Sequence, residues 1–196
     1  MSVRYLSRKR TLVATALTAV LAVGGLTACE TDEPTVEKSA GSSAKEKSGG
    51  EGTEEGAAKE EESKQDGPMN AGDTASYKSG LKVTVSPASP YTPTEYASGH
   101  TDGNEAYKLT ITLENTGKKK VDAALIMATA RAGEEGVEAE AIFDEQVDSA
   151  FEGKLLPGKK ATASFAFDAP AGAKVLDIEV DLLDFATEPA QWSVKL

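Results

Sequence analysis

The residues of this chain that could perform acid–base or metal chemistry are few. His100 is the only histidine, and it lies in a segment, 98–104, whose glycines and polar residues are typical of a loop. One histidine without a thiol partner cannot form the usual zinc site, and no turn motif marks a serine nucleophile. We therefore interpret His100 as a solvated loop residue, and we predict no catalytic residues and no enzymatic activity.

Two groups of acidic residues raise the possibility of a cation site. Asp102, Asn104 and Glu105 are spaced like the first ligands of a calcium loop, but Leu113 occupies the twelfth position, where a bidentate glutamate is required. A second group comprises Glu134, Glu135, Glu138, Glu140, Asp144, Glu145, Asp148 and Glu152. Solvated loops of an acidic protein have the same composition. We predict no metal and no cofactor, with a calcium- or small-ligand-binding module as the alternative.

Cys29 is the only cysteine, and its surroundings predict a chemical role. The segment 4–10 is basic, an apolar run follows at 11–26, and the run leads into Leu-Thr-Ala-Cys. The run is shorter than the about 20 residues that cross a bilayer as a helix, so it predicts a cleaved secretory signal at residues 1–28. Its end resembles the lipobox of bacterial lipoproteins. That resemblance implies a diacylglyceryl group on the Cys29 thiol and cleavage before this residue.

Lipidation predicts the location of the protein. Two or more acyl chains give stable anchoring, so we expect attachment to the outer face of the cell membrane. With no second cysteine, the exported domain contains no disulfide. The Arg-Lys-Arg sequence at 8–10 leaves open whether export follows the general secretory or the twin-arginine route.

Residues 29–69 are predicted to be a disordered acidic linker that begins at the lipidated cysteine. Between residues 30 and 69 there is no aromatic side chain, and Val36 is the only branched aliphatic one. Such a segment cannot bury enough apolar surface to offset its chain entropy. A flexible chain of this length spans ~35 Å root-mean-square, so we expect it to lift the domain away from the membrane.

The remaining segment, 70–196, has the pattern of a β-domain. Apolar and polar residues alternate at 81–85, 107–114, 161–167, 176–182 and 192–196, and more weakly at 138–143. Period-two alternation indicates half-buried strands, and turn sequences such as Asn-Thr-Gly-Lys at 115–118 separate them. The segment 121–130 is apolar on both faces and predicts a central strand. We predict an all-β fold, an immunoglobulin-like antiparallel β-sandwich of seven or eight strands.

Several strand ends carry a family resemblance. The motifs are Gly-Asp-Thr at 72–74, Gly-Leu-Lys-Val-Thr-Val at 80–85, Leu-Glu-Asn-Thr-Gly at 113–117, and Leu-Pro-Gly-Lys at 156–159 leading to Phe-Ala-Phe at 165–167. They resemble the immunoglobulin-like domain of unknown function in lipoproteins of Gram-positive bacteria, especially actinobacteria. The chain is also similar to secreted immunogenic mycobacterial proteins with the immunoprotective extracellular fold. The resemblance implies a fold and a location, but no catalytic residues.

Charge and size narrow the function classes. The formal net charge is −11, and an acidic surface repels phosphate backbones, so we expect no nucleic-acid partner. The 127 residues from 70 onward leave no room for the second lobe of a solute receptor. The leading hypothesis is a lipid-anchored, non-enzymatic surface domain that binds a protein or an envelope component.

One loop is the preferred interaction surface. Tyr91 and Tyr96 lie among Pro87, Pro90 and Pro93, directly after the first strongly alternating strand. Tyrosines supply rigid contact area with a polar tip. These rings could instead serve only to cover the open end of the sandwich.

Overall fold

The computed structural model describes residues 32–39, 63–64, 67–184 and 186–196. The predicted signal peptide, 1–28, and the predicted lipidation site, Cys29, lie outside these residues. Strands dominate the described part of the chain, and its one helical turn is a short 3-10 element at Ala123–Leu125.

The described residues form fourteen strands. They are β1 Thr35–Glu37, β2 Ser63–Lys64, β3 Met69–Asn70, β4 Thr74–Ser76, β5 Leu81–Val85, β6 Ser89–Tyr91, β7 Glu105–Asn115, β8 Val121–Asp122, β9 Met127–Ala132, β10 Val137–Ile142, β11 Lys154–Leu155, β12 Lys160–Ala169, β13 Val175–Asp181 and β14 Ala190–Lys195.

Twelve of these strands make two packed sheets that share one strand, and β8 and β11 form a separate two-stranded ladder. The first sheet has the order β2-β1-β4-β5-β7-β12-β10, with β6 also paired to β7, and the second has the order β10-β9-β13-β14-β3. The end of β10, from Glu140 to Ile142, pairs with β12, whereas its start, from Val137 to Ala139, pairs with β9. All pairings are antiparallel except that of β14 with β3. The β-sandwich prediction is therefore confirmed, with more strands than the seven or eight expected.

Period-two alternation directs one face of each long strand into a core between the sheets. In β5, the side chains of Leu81, Val83 and Val85 are buried. In β14, Trp192 is fully buried, and its Nε1 donates a hydrogen bond to the Asp73 carbonyl oxygen at 3.0 Å. This contact ties the last strand to the beginning of the domain.

The prediction of a central strand at 121–130 is correct only for its last residues, because β9 begins at Met127 and lies between β10 and β13. Val121 and Asp122 pair with β11 in a separate two-stranded ladder, the 3-10 turn follows, and β9 then begins in the second sheet. Ala123 and Ile126 are buried at this corner. A chain that passes across the end of the core is apolar on both faces, so its sequence is indistinguishable from that of a central strand.

Residues 32–39 differ from the disordered linker expected for this part of the chain. They include β1, which pairs with β4, and Val36 packs against the core. The carboxylate of Glu37 accepts hydrogen bonds from Lys82 Nζ at 2.6 and 2.8 Å and from the Ser76 hydroxyl at 2.6 Å. The one branched aliphatic residue of the segment thus marks a strand that is paired on both sides, with β2 and with β4.

Candidate functional site

One carboxylate holds the tyrosine- and proline-rich loop in place. Asp144 accepts a hydrogen bond from the Tyr91 hydroxyl at 2.5 Å, and two more from the backbone N–H and the hydroxyl of Thr94, both at 2.7 Å. Lys108 Nζ lies 5.3 Å from the centroid of the Tyr91 ring, a cation–π distance. Tyr91 is therefore a structural residue that fixes the loop.

The same contacts shift the acidities of both partners. The hydrogen bond from Tyr91, with those from Thr94, holds the pKa of Asp144 at about 2. Desolvation, reinforced by the bond to Asp144, raises the pKa of Tyr91 to about 12. At neutral pH the pair is thus a phenol donating to a carboxylate, which is a charge-assisted hydrogen bond.

Two large aromatic side chains are displayed on this fixed frame. Tyr96 is 84% exposed and Phe143 is 58% exposed. Tyr96 lies in a turn closed by a hydrogen bond from Ala97 N–H to the Thr94 carbonyl, and the chain then pairs Ser98 with Phe143 through two 2.9 Å backbone bonds. The sequence analysis predicted Tyr96 as a contact residue and did not single out Phe143, which is distant in sequence.

His100 is an exposed loop residue, as predicted, but its ring is also held by a buried carboxylate. Its Nδ1 lies 2.6 Å from Oδ1 of Asp168, whose side chain is only 4% exposed. Asn104 Nδ2 donates to the other carboxylate oxygen at 2.7 Å, and the Thr101 N–H approaches that oxygen at 3.4 Å. Among the described residues no hydroxyl bonds to His100, so the pair anchors the 98–104 loop and lacks the nucleophile of a triad.

The acidic residues of the predicted cation loops make local hydrogen bonds. Asp148 accepts bonds from the N–H and the hydroxyl of Ser164 at 2.7 and 2.8 Å, and Glu105 accepts one from the Tyr107 hydroxyl at 3.0 Å. In the part of the chain that the structure describes, no three His, Cys, Asp or Glu side chains form a cluster able to hold a metal ion.

A second exposed surface is a groove with a volume of about 660 Å³. Its lining includes the apolar residues Leu125, Ile126 and Leu182, and the consecutive lysines 118–120 stand at its edge, all three exposed. A basic surface of this kind is unexpected on an acidic domain. The sequence did not identify it, because its apolar and basic residues come from separate segments.

The aromatic surface and the groove lie at opposite ends of the sandwich. Tyr91 pairs with Ala106 at the start of β7, whereas lysines 118–120 follow the end of β7 at Asn115. Nine residue steps in an antiparallel strand span about 30 Å. The domain therefore has two chemically different ends: one bears aromatic rings, and the other is apolar with a basic edge.

The described residues contain no helix that is both long enough and apolar enough to cross a membrane. Cys29 lies outside these residues, and its lipidation stays a prediction from the sequence.

The fold defines a two-sheet β-sandwich domain, and comparison of the sequence identifies its family. Residues 69–190 match the family described as Domain of unknown function (DUF4352), and the chain belongs to that family. No curated protein shows significant similarity to the chain.

Solved structures show the same architecture at low sequence identity. The ycdA protein of Bacillus subtilis, described as a candidate lipoprotein, has a TM-score of 0.51 at 14% identity, over 60% of this chain and 37% of its own. The chain thus matches only a part of that protein. The yjhA protein of Bacillus subtilis has a TM-score of 0.50 at 20% identity, over 65% of this chain and 99% of its own. The secreted Mycobacterium tuberculosis protein MPT63 has a TM-score of 0.40 at 15% identity, over 63% of this chain and 84% of its own.

These comparisons confirm the resemblance to a domain of unknown function. At such identities the likenesses to the two Bacillus subtilis proteins establish the fold alone.

Proposed function

We propose that this protein is a non-enzymatic binding module, anchored to the outer face of the cell membrane by lipid on Cys29, which presents Tyr96 and Phe143 to a protein partner of the cell envelope. The exposure of these two rings on a loop fixed by Asp144 carries the proposal. Large apolar side chains on a rigid frame are typical of protein interfaces, because little conformational entropy is lost on binding. The lipobox sequence and the description of the ycdA protein support the location.

The surroundings of the two rings indicate the chemistry of the partner. Glu95, Glu140 and Glu145 are exposed and lie within three residues of Tyr96 or Phe143 in the sequence. A complementary surface would offer an apolar pocket bordered by lysine or arginine, because opposite charges at the edge of an interface speed and orient association.

Photo-crosslinking in intact cells tests the binding surface. A photoreactive phenylalanine analogue would replace Tyr96 or Phe143 in the full chain, with position 137 as the control. Val137 is 47% exposed and lies in the β9–β10 hairpin, away from the rings. We expect one discrete adduct of the same mass from positions 96 and 143 and none from 137. Equal labelling at all three positions would refute a specific surface.

Metabolic labelling tests the anchor separately. Cells that express the full chain would be supplied with a radiolabelled fatty acid, and the Cys29→Ala variant would serve as the matched control. We expect label in the wild-type protein and none in the variant, which should also leave the membrane fraction. A labelled variant, or an unlabelled wild type, would end the proposal of a lipid anchor.

A further inference from the structure

The first described residues fix the point at which the chain enters the domain. The Asp32 carboxylate accepts hydrogen bonds from the backbone N–H groups of Lys78 and Ser79 at 3.0 and 3.1 Å. The Asp32 N–H donates to the Ala186 carbonyl at 2.9 Å, and Asp32 forms an isolated bridge with Thr187. Asp32 is thereby held between two loops at one end of the sandwich.

This entry point lies beside the groove. Lys78, Ser79 and Thr187, which contact Asp32, are also among the residues that line the groove. Cys29 precedes Asp32 by three residues, and three peptide units reach at most about 11 Å when fully extended. A lipid on Cys29 would therefore leave the protein within about a nanometre of Asp32, which itself lies beside the groove.

We propose that the groove end of the sandwich lies against the membrane, with lysines 118–120 on anionic phospholipid headgroups. The inference rests on the proposed lipid anchor and adds an orientation and a lipid preference. Three exposed apolar side chains at this end would meet the interfacial region: Leu125, Met127 and Leu183 are 48, 51 and 39% exposed. A basic edge around exposed apolar residues fits a surface of anionic headgroups above acyl chains.

The lysines are available for this contact because the neighbouring carboxylates are already engaged. No described residue forms an ion pair with any of lysines 118–120. Asp122 lies 3.7 Å from Lys154 Nζ, and the Asp184 carboxylate accepts bonds from Ala186 N–H and from the N–H and hydroxyl of Thr187. Each lysine near an anionic bilayer raises the binding constant about fivefold, so two lysines together raise it roughly 30-fold.

The opposite end favours the same orientation by repulsion. The hairpin between β9 and β10 carries Glu134, Glu135 and Glu138, all exposed. An anionic surface would repel this hairpin. The aromatic rings of Tyr96 and Phe143 would then point away from the bilayer, where an envelope protein can reach them.

Depth-dependent quenching tests this orientation in the lipidated full chain. After lipidation the Cys29 thiol is blocked, so a cysteine introduced as Leu125→Cys or Val137→Cys is the one free thiol for a fluorophore. The two positions are matched in exposure, at 48 and 47%, and lie at opposite ends. Each protein would be reconstituted into phosphatidylcholine vesicles with or without phosphatidylglycerol and with a quencher on the lipid headgroups. The same samples would be analysed for fatty acid on the protein.

We expect stronger quenching at position 125 than at 137, with the ratio rising at least fivefold when phosphatidylglycerol is present. Lys118→Glu with Lys119→Glu should abolish that rise, whereas the matched pair Lys174→Glu with Lys195→Glu, at the other end, should preserve it. Equal quenching in a protein that carries fatty acid would overturn the orientation but leave the anchor standing. Quenching at position 125 that is the same with and without phosphatidylglycerol would overturn the role of the lysines. Binding of the groove to an acidic protein in place of the lipid would overturn it too. Absence of fatty acid would overturn anchor and orientation together.

Discussion

Replacement of Asp73 by alanine should release the N-terminal strand from the sandwich. Asp73 is 2% exposed. Its carboxylate accepts hydrogen bonds from the backbone N–H of Ser39 at 2.9 Å and from that of Asn70 at 3.0 Å. Hydrogen bonds to a charged group contribute about 1.5–3 kcal/mol each, and we take the lower value because both donors are only partly buried. Asp73→Ala should therefore lower the free energy of unfolding by about 3 kcal/mol. In a domain of this size that corresponds to a melting temperature lower by roughly 6–12 °C.

Trp192 provides the assay, because it is the only tryptophan and is fully buried. Urea unfolding would be followed by its fluorescence, and tryptic cleavage after the exposed Lys38 would report release of β1. Asp32→Ala is the matched control. It also removes a carboxylate that accepts two backbone N–H groups, but at an exposed site, so it should cost about 1 kcal/mol. A loss below 1 kcal/mol for Asp73→Ala, with Lys38 still protected, would show that the carboxylate does not hold the strand.

Three further predictions concern the core, a tight turn and the tyrosine loop. Trp192→Phe should cost about 2–3 kcal/mol in urea unfolding followed by circular dichroism, since it removes the donor to the Asp73 carbonyl and leaves a cavity; an unchanged midpoint would contradict this packing. Gly80→Ala should lower the melting temperature more than Gly158→Ala, because a Cβ on Gly80 would lie 2.4 Å from Gly117 Cα while one on Gly158 meets no atom, and both have positive φ; equal shifts would contradict the close approach. The pKa of Asp144 is lowered to about 2, below its ordinary 3.8, so its stabilising effect is complete above about pH 4 and is lost as the pH falls through 2. The melting-temperature difference between wild type and Asp144→Asn should therefore shrink over that range, and a constant difference would count against the Tyr91–Asp144 pair.

The sequence predicted the long strands well because burial on one face leaves a clear period of two. In β13, Leu176, Ile178 and Val180 are buried and alternate with acidic residues, so the pattern has one interpretation. Strand prediction from this pattern failed where the chain crosses between the sheets, as it does at the 3-10 turn. It also failed for strands of two or three residues, which are too short to show any period.

The candidate sites were harder to predict because they depend on contacts between distant residues. Asp168 and His100 are 68 residues apart, and Asp144 and Tyr91 are 53 apart. The composition of the tyrosine loop led to a predicted interaction surface in which Tyr91 and Tyr96 have the same role. The structure separates them, because the Asp144 carboxylate engages one hydroxyl and leaves the other ring exposed.

The position of β1 changes the expected relation between the domain and its anchor. The linker interpretation places a flexible segment of some 40 residues between lipid and sandwich, which would let the domain adopt any orientation. In the structure, β1 and β2 pair with each other at the edge of the first sheet, so residues 40–62 connect two docked strands and do not separate the domain from Cys29. Only residues 30 and 31 then lie between Cys29 and Asp32. With the proposed lipid on Cys29, a tether this short would restrict the domain to orientations that bring the Asp32 end toward the bilayer, and the chemical difference between the two ends would then have functional consequences.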